Sequence, residues 1–583
     1  MSPEVAELCD DYWNWRMVDM PQFATFVGIH NYDSLLDDMS EEAYEDRLVK
    51  CQEFLSRAVA LEPSLTDEAD IINIKVLEYE LNTYIGSYQF KGFYLPMNYL
   101  EGPQVDMENQ FGWMLRDTFD DYDVMIRRME LLPLQIDQII DLMKAGVTNG
   151  ITYNAISMKN LDSSIGRFVV SDATESPFYV YFSDGFPSNF TQEQIDYLQT
   201  KAQTVILEEV SPAYAKLLDY TLNEYVTRED IAVTSITNGV EFYENLIWFH
   251  TSTNLTAQEI QNIGFEEVNR IEAEMDAIIV EMGYEGMSTL EFSNMIRDDP
   301  ANYYNTSEDV MAAFDYIVYD LVPPLLPEIF KNIPEAELEV VADPDPDAPA
   351  AFYLSGSYDG SRPGVFYVNT YDPSTQPKYS MLTLSLHEGN PGHHLQGSHS
   401  IESEDFPFFR RVMEDRNYGI SPSRFPIYTY YVEGWALYAE ALGFDMDLYE
   451  DLLNRYGHYS EEIFRACRLV VDTGMHALGW SRDDAVNYML NHTASSQADL
   501  ENEVDRYITW PGQALAYKMG QLRFSELRVS AELQLGSLFD IKDFHDVVLN
   551  AFGPMDLVRD EVNQYIDDTL NGEREKNTYK RNI

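Results

Sequence analysis

The chain has 583 residues, 45% of them hydrophobic, and carries 100 acidic against 38 basic side chains, a formal charge of −62. A chain of this length buries a large core, while its charge excludes a nucleic-acid partner, which would need clustered Lys and Arg. Three scattered cysteines, Cys9, Cys51 and Cys467, exclude a disulfide framework or a cysteine zinc cluster and leave room for one pair or none.

From the N-terminus, "MSPEVAELCDDYWNW" lacks the basic start and apolar stretch of a signal peptide. No run approaches eighteen apolar residues, so a soluble protein with no membrane span is expected. The segments "DEADIINIKVLEYELNTYIGSY", "YDVMIRRMELLPLQIDQIIDLMKAGV" and "QEIQNIGFEEVNRIEAEMDAIIVEMGY" repeat apolar residues at helical steps, the last ending on a glycine suited to a C-cap. Residues 337 to 370 break this habit: "ELEVV", "AFYLS" and "GVFYVNT" read as strands, separated by the turn-rich "ADPDPDAPA" and "DGSRPG". Helical patterning then resumes to the end. The predicted fold is mostly α, a large helical body with a small β-sheet beside the candidate metal-binding helices and a deep substrate channel. Residues 1–335 are expected to be helical scaffold forming one wall, and residues 336–583 the catalytic half. Sequons at Asn189, Asn254, Asn305 and Asn491 leave the compartment open, with an extracellular or endolysosomal one favoured. The oligomeric state is not legible.

Directly after the predicted strands comes "LSLHEGNPGHHLQGSH", residues 384–399, with four of the ten histidines. A zinc helix would read H-E-x-x-H, but here Pro391 occupies the second histidine's place. On a regular helix His394 falls near the face of His387 but about 10.5 Å further along, and His393 points away. Pro391 cannot donate its amide, and Gly389 and Gly392 loosen the backbone, so a break between Gly389 and His393 is expected. With two residues treated as inserted, His393 comes round to His387. These two then bind zinc, and Glu388 serves as general base toward a water; His394 is the competing ligand. A third ligand is expected from "YYVEGWALYAEALGF", where Glu433 stands among apolar residues as a buried carboxylate needing a partner. Glu440, two turns on, is either an acceptor for a ligating histidine or a residue where the helix meets solvent.

"HEGNPGHHLQ" followed by "EGWALYAE" resembles the domain-of-unknown-function 885 family, whose pattern is H-E-x-x-P-G-H-H and E-G-W-A-L-Y. "DGSRPGVFYVNT", "DTGMHALGW" and "RYITWPGQALAYKMGQ" extend the resemblance, close over residues 350–530 and looser elsewhere. Members of that family look like distant relatives of the gluzincin peptidases, the helical group with angiotensin-converting enzyme and the thimet-type oligopeptidases. The resemblance implies zinc held by two histidines and a downstream glutamate; the two-residue insertion departs from the wider group.

Further residues are given roles from their chemistry. Residues 364–370 are read as an edge strand able to pair an extended peptide, or as one completing a small sheet. His476 is a candidate oxyanion donor, or a structural histidine. Tyr517 and Lys518 are candidates to offer substrate a phenol and a cation, with Tyr517 preferred by analogy to the oligopeptidases. Arg468 and Arg506 are expected either to clamp a substrate carboxylate or to pair with neighbouring acids. The function read from these residues is a zinc metallopeptidase of short peptides, with cleavage from the C-terminal side as a subtype. Two alternatives stand beside it: a zinc-dependent amide or ester hydrolase on small acyl substrates, and a helical binding protein with a vestigial site.

Overall fold

Several helices of this chain start where a side chain caps them. The computed structural model describes residues 1–344, 349–358, 360, 362–412 and 428–572. Asp67 caps α1 (Glu68–Ser87) by accepting from the Asp70 amide. The helical stretch expected over 122–147 is two helices, α2 (Phe119–Met129), opened by a Thr118/Asp121 capping box, and α3 (Leu132–Asn149). Pro133 explains the division: it lacks the amide that would continue α2 and is tolerated in the first turn of a new helix. α4 (Ala257–Glu281) is capped by Thr256 and Glu259 and ends two residues before Gly283, at φ +89°, a left-handed position that favours glycine.

The three predicted strands form one sheet: β1 (Leu338–Asp343), β2 (Ala351–Leu354) and β3 (Gly364–Asn369). Its order is β1-β3-β2, with β3 parallel to β1 and antiparallel to β2. This corrects the reading of residues 364–370 as an edge strand. β3 is central and its backbone is paired on both sides, so it has no free row of amides and carbonyls for a peptide. Residues 345–348, Asp359 and Ser361 of the two predicted turns lie outside the described residues.

After the sheet come α5 (Lys378–Glu388), α6 (His393–Glu402), α7 (Thr429–Asp445), α8 (Leu452–Ala477), α9 (Gln497–Thr509) and α10 (Ala516–Leu535). α5 packs on both α7 and α8, and α4 lies along α8. α7 and α10 meet backbone to backbone at Gly434 and Gly520, where a Cβ on Gly434 would strike the Gly520 backbone. One hydrophobic core joins the N-terminal helices to these elements, from Val5, Tyr12 and Leu77 through Leu386 and Leu395 to Trp435 and Val562. Residues before and after 335 therefore share a core. Cys9, Cys51 and Cys467 are all buried free thiols. No helix among the described residues is long and apolar enough to cross a membrane.

Candidate metal centre

The expected break falls where the sequence placed it. α5 stops at Glu388, with the Gly389 amide donating to Ser385 O at 3.0 Å, and α6 starts at His393, with the Gln396 amide donating to Gly392 O at 3.1 Å. Gly392 lies so close to the last turn of α5 that a Cβ would collide with the carbonyl oxygens of Leu386 and His387; glycine alone allows that approach. The Trp435 indole donates to Pro391 O at 2.9 Å, fastening the break to α7 two residues from Glu433. The rings of His387 and His393 end 4.8 Å apart, centroid to centroid, at 87° to one another.

Glu433 reaches the same point from α7. Its Oε2 lies 3.5 Å from His387 Nε2 and 3.3 Å from His393 Nε2. The three residues can each present one ligand atom with all three atoms within 4.8 Å of one another. Such separations are long for N–H···O hydrogen bonds, and Glu433 Oε2 is buried without a hydrogen-bond partner among the described residues. The two Glu433 distances match neighbouring donors around one tetrahedral ion, where bonds of ~2.0–2.2 Å put ligand atoms about 3.3–3.5 Å apart. The three residues could therefore hold a metal ion.

The outer contacts prepare the ligands. His387 Nδ1–H donates to Glu440 Oε1 at 2.7 Å, which leaves the Nε2 lone pair facing Glu433 and His393. Glu440 is 1% exposed, so of its two readings the acceptor for a ligating histidine is the one observed. Burial acts to lower the pKa of His387, but Glu433, Glu440 and Glu388 around it outweigh this and push it up to about 10. Burial likewise acts against the Glu433 carboxylate, and the charges of His393 and His387 hold it well below the usual range. Carboxylates crowded round two imidazoles make a site that favours a cation. Glu388, buried at the end of α5, is hydrogen-bonded to no described residue.

Adjacent residues of α6 divide the two candidate histidines. His394 points to the sheet: its Nδ1 accepts from the Tyr353 hydroxyl of β2 at 3.1 Å, and its Nε2–H donates to Ala336 O at 3.1 Å, just before β1. Burial lowers its pKa to about 4. With both nitrogens engaged, His394 has none for a metal, and His393 is the histidine that joins His387 and Glu433.

Of the other expected residues, Tyr517 stands by the triad. Its pKa is raised, first by burial and then by the negative charge of Glu433. Its oxygen accepts from Arg506 Nη2 at 3.0 Å and Gln513 Nε2 at 3.3 Å, so its own O–H remains to be donated. His476 is committed elsewhere, which corrects its reading as an oxyanion donor. Its Nδ1 accepts from the Val233 amide at 3.1 Å and its Nε2–H donates to Tyr507 O at 2.9 Å, so the neutral ring, its pKa lowered to about 4 by burial, has no N–H to spare. Lys518 is fully buried between Glu462, at 2.6 Å, and Glu267, at 2.9 Å, and has no charge free for substrate. Arg468 and Arg506 both pair with Glu503, at 3.3 and 3.4 Å. Sequence reading missed Tyr353 and Ala336 as anchors of His394, and missed Arg465, buried on α8. It also missed the Gly434–Gly520 contact, whose only signal was a glycine inside each of two helical motifs.

A family model described as "Bacterial protein of unknown function (DUF885)" matches residues 21–562. The "putative lipoprotein from Colwellia psychrerythraea" is 27% identical, with a TM-score of 0.87 over 97% of this chain and 99% of that one. A "putative lipoprotein of unknown function from Shewanella oneidensis" is 16% identical, with a TM-score of 0.68 over 95% and 99%, a likeness of fold. A "putative oligoendopeptidase F from Bacillus anthracis str. Ames" is 12% identical over 90% and 97%, with a TM-score of only 0.27. No curated protein matches the chain.

Proposed function

The chain belongs to the DUF885 family of bacterial proteins, and for this member we propose a zinc-dependent peptidase acting on short peptides. The observation that carries the reading is Glu433 Oε2 lying 3.5 Å from His387 Nε2 and 3.3 Å from His393 Nε2, beside the buried Glu388, which is hydrogen-bonded to no described residue. A zinc ion held there would supply Lewis acidity toward a scissile carbonyl and lower the pKa of a water. The chain's residues do the rest. Glu388 takes the proton of the attacking water and passes it to the leaving amine. Tyr517 donates its O–H to the carbonyl oxygen as negative charge grows there. Glu440 holds His387 in the tautomer that keeps Nε2 unprotonated.

The site's enclosure supports a small substrate. The side chains of His387, His393 and Glu433 are 4%, 12% and 16% exposed, so the triad offers little open surface to a bulky substrate. The test is metal analysis of the purified chain, together with mass spectrometry of a mixed peptide library after incubation, with Glu388→Gln as control. Stoichiometric zinc and cleavage products that vanish in the control are expected. Zinc-loaded protein that leaves every peptide intact would overturn the reading.

A further inference from the structure

Beside Tyr517 lie three arginines from two helices: Arg465 and Arg468 of α8 and Arg506 of α9. Arg468 stacks on the Tyr517 ring, its guanidinium carbon 4.5 Å from the centroid, and Arg506 donates to the Tyr517 oxygen. Among the described residues the trio's ion pairs go to two carboxylates, Glu461 with Arg465 and Glu503 with both others. Arg465 also feels the charge of Glu440, so what the trio leaves open is hydrogen-bonding capacity rather than charge. Arg465 Nε, Arg468 Nη1 and Arg506 Nε are moreover buried without a hydrogen-bond partner among the described residues, and Arg468 is only 4% exposed and Arg465 only 8%. A buried guanidinium N–H left unpaired is costly, and unpaired guanidinium donors fit a planar, bidentate anion. The location is also apt, since Tyr517 feels the charge of Glu433 as well as those of Arg506 and Arg468.

Resting on the peptidase reading, we propose that Arg465, Arg468 and Arg506 form the subsite for the free C-terminal carboxylate of a peptide substrate. The carboxylate completes the pairing of the trio, and the scissile amide then lies toward Tyr517 and the His387–His393–Glu433 triad. The enzyme cuts close to the C-terminal end. Arg468 and Arg506 select the substrate, while Tyr517 separates the recognised end from the reacting carbonyl.

The test uses the full chain supplied with zinc and carrying Glu388→Gln, so that binding is read without turnover. Acetyl-Ala-Ala-Ala and its C-terminal amide are titrated by calorimetry. The free acid is expected to bind between about tenfold and a hundredfold more tightly, the range for hydrogen bonds to a charged group, and adding Arg468→Gln should bring the ratio below about threefold. Arg468→Lys, which keeps the charge but not the fork, should retain only part of the preference; it serves if the glutamine variant does not fold. Equal affinity for acid and amide, or no binding of either, overturns the subsite. Preferential binding of the acid by a chain whose native form hydrolyses neither compound overturns the peptidase reading and keeps the subsite.

Discussion

His393 and His394 are neighbours in sequence with opposite assignments, and the difference lies in what each ring meets. His394 is held by Tyr353 and Ala336, while His393 Nε2 faces Glu433. Changing His387, His393 or Glu433 to Ala should therefore remove most bound zinc, whereas His394→Ala should keep it and cost stability; metal analysis of the four variants decides. Glu388→Gln should hold its metal and lose about 10²- to 10⁴-fold in kcat, the span of a general base. Tyr517→Phe should lower kcat by about 10²-fold or more with little change in KM, since the phenol is needed only as charge develops. His476→Ala belongs to another class: two buried backbone groups lose their partner, so denaturant unfolding should register about 1–3 kcal/mol per unpaired group. A selective kcat loss without that destabilisation would return His476 to the active site.

At the scale of elements, the site depends on two close approaches that only glycine permits, Gly392 against α5 and Gly434 against Gly520. The second sets the spacing of α7, which carries Glu433, and α10, which carries Tyr517. Gly434→Ala should cost about 1–3 kcal/mol, as overpacking does, and lower zinc affinity, both readable from thermal unfolding with and without zinc. Asp472 on α8 ties down the start of α10's approach: its carboxylate accepts from the Tyr243 hydroxyl at 2.5 Å and from the Gly512 amide at 3.1 Å. Burial raises its pKa from 3.8 to about 7 despite those bonds. A raised carboxylate pKa contributes stability that is present below the unfolded value and is lost as pH rises through the folded one. Wild type should therefore lose stability relative to Asp472→Asn between about pH 4 and 7, a trend that unfolding measured at several pH values would show. A pH-independent difference would mean that the Asp472 carboxyl titrates alike in the folded and unfolded chain.

For the whole molecule, one hydrophobic core runs from the N-terminal helices to α10, and the site-bearing helices α5, α6, α7 and α10 all contribute residues to it. Under the proposed function, peptides of roughly ten residues or fewer should be hydrolysed, a zinc chelator should abolish the activity, and a native globular protein should remain intact. The size limit rests on the burial of the three candidate ligands. Incubation with a folded protein, followed by intact-mass measurement, tests it; rapid digestion would mean that the triad opens to the surface.

What the sequence determined by itself is whatever depends on local chemistry. The helical steps of residues 67–88 and 258–284, the caps at Asp67 and Thr256, the three strands and the break at Pro391 all follow from residue type and spacing over a turn or two. The triad was legible for the same reason, because a histidine pair around a break and a carboxylate amid apolar residues carry their requirements in their neighbours. Only the tertiary structure decided which histidine turns inward, because that rests on Tyr353 and Ala336, some 40 and 60 residues away in the chain. It also decided that β3 is central, since strand order is set by pairing between distant segments rather than by the pattern within one. It spent the nitrogens of His476 on Val233 and Tyr507, and it gathered Arg465, Arg468 and Arg506 round Tyr517. Contacts between residues far apart in sequence leave no period or motif to read, because each side chain's partner is chosen by how whole helices pack.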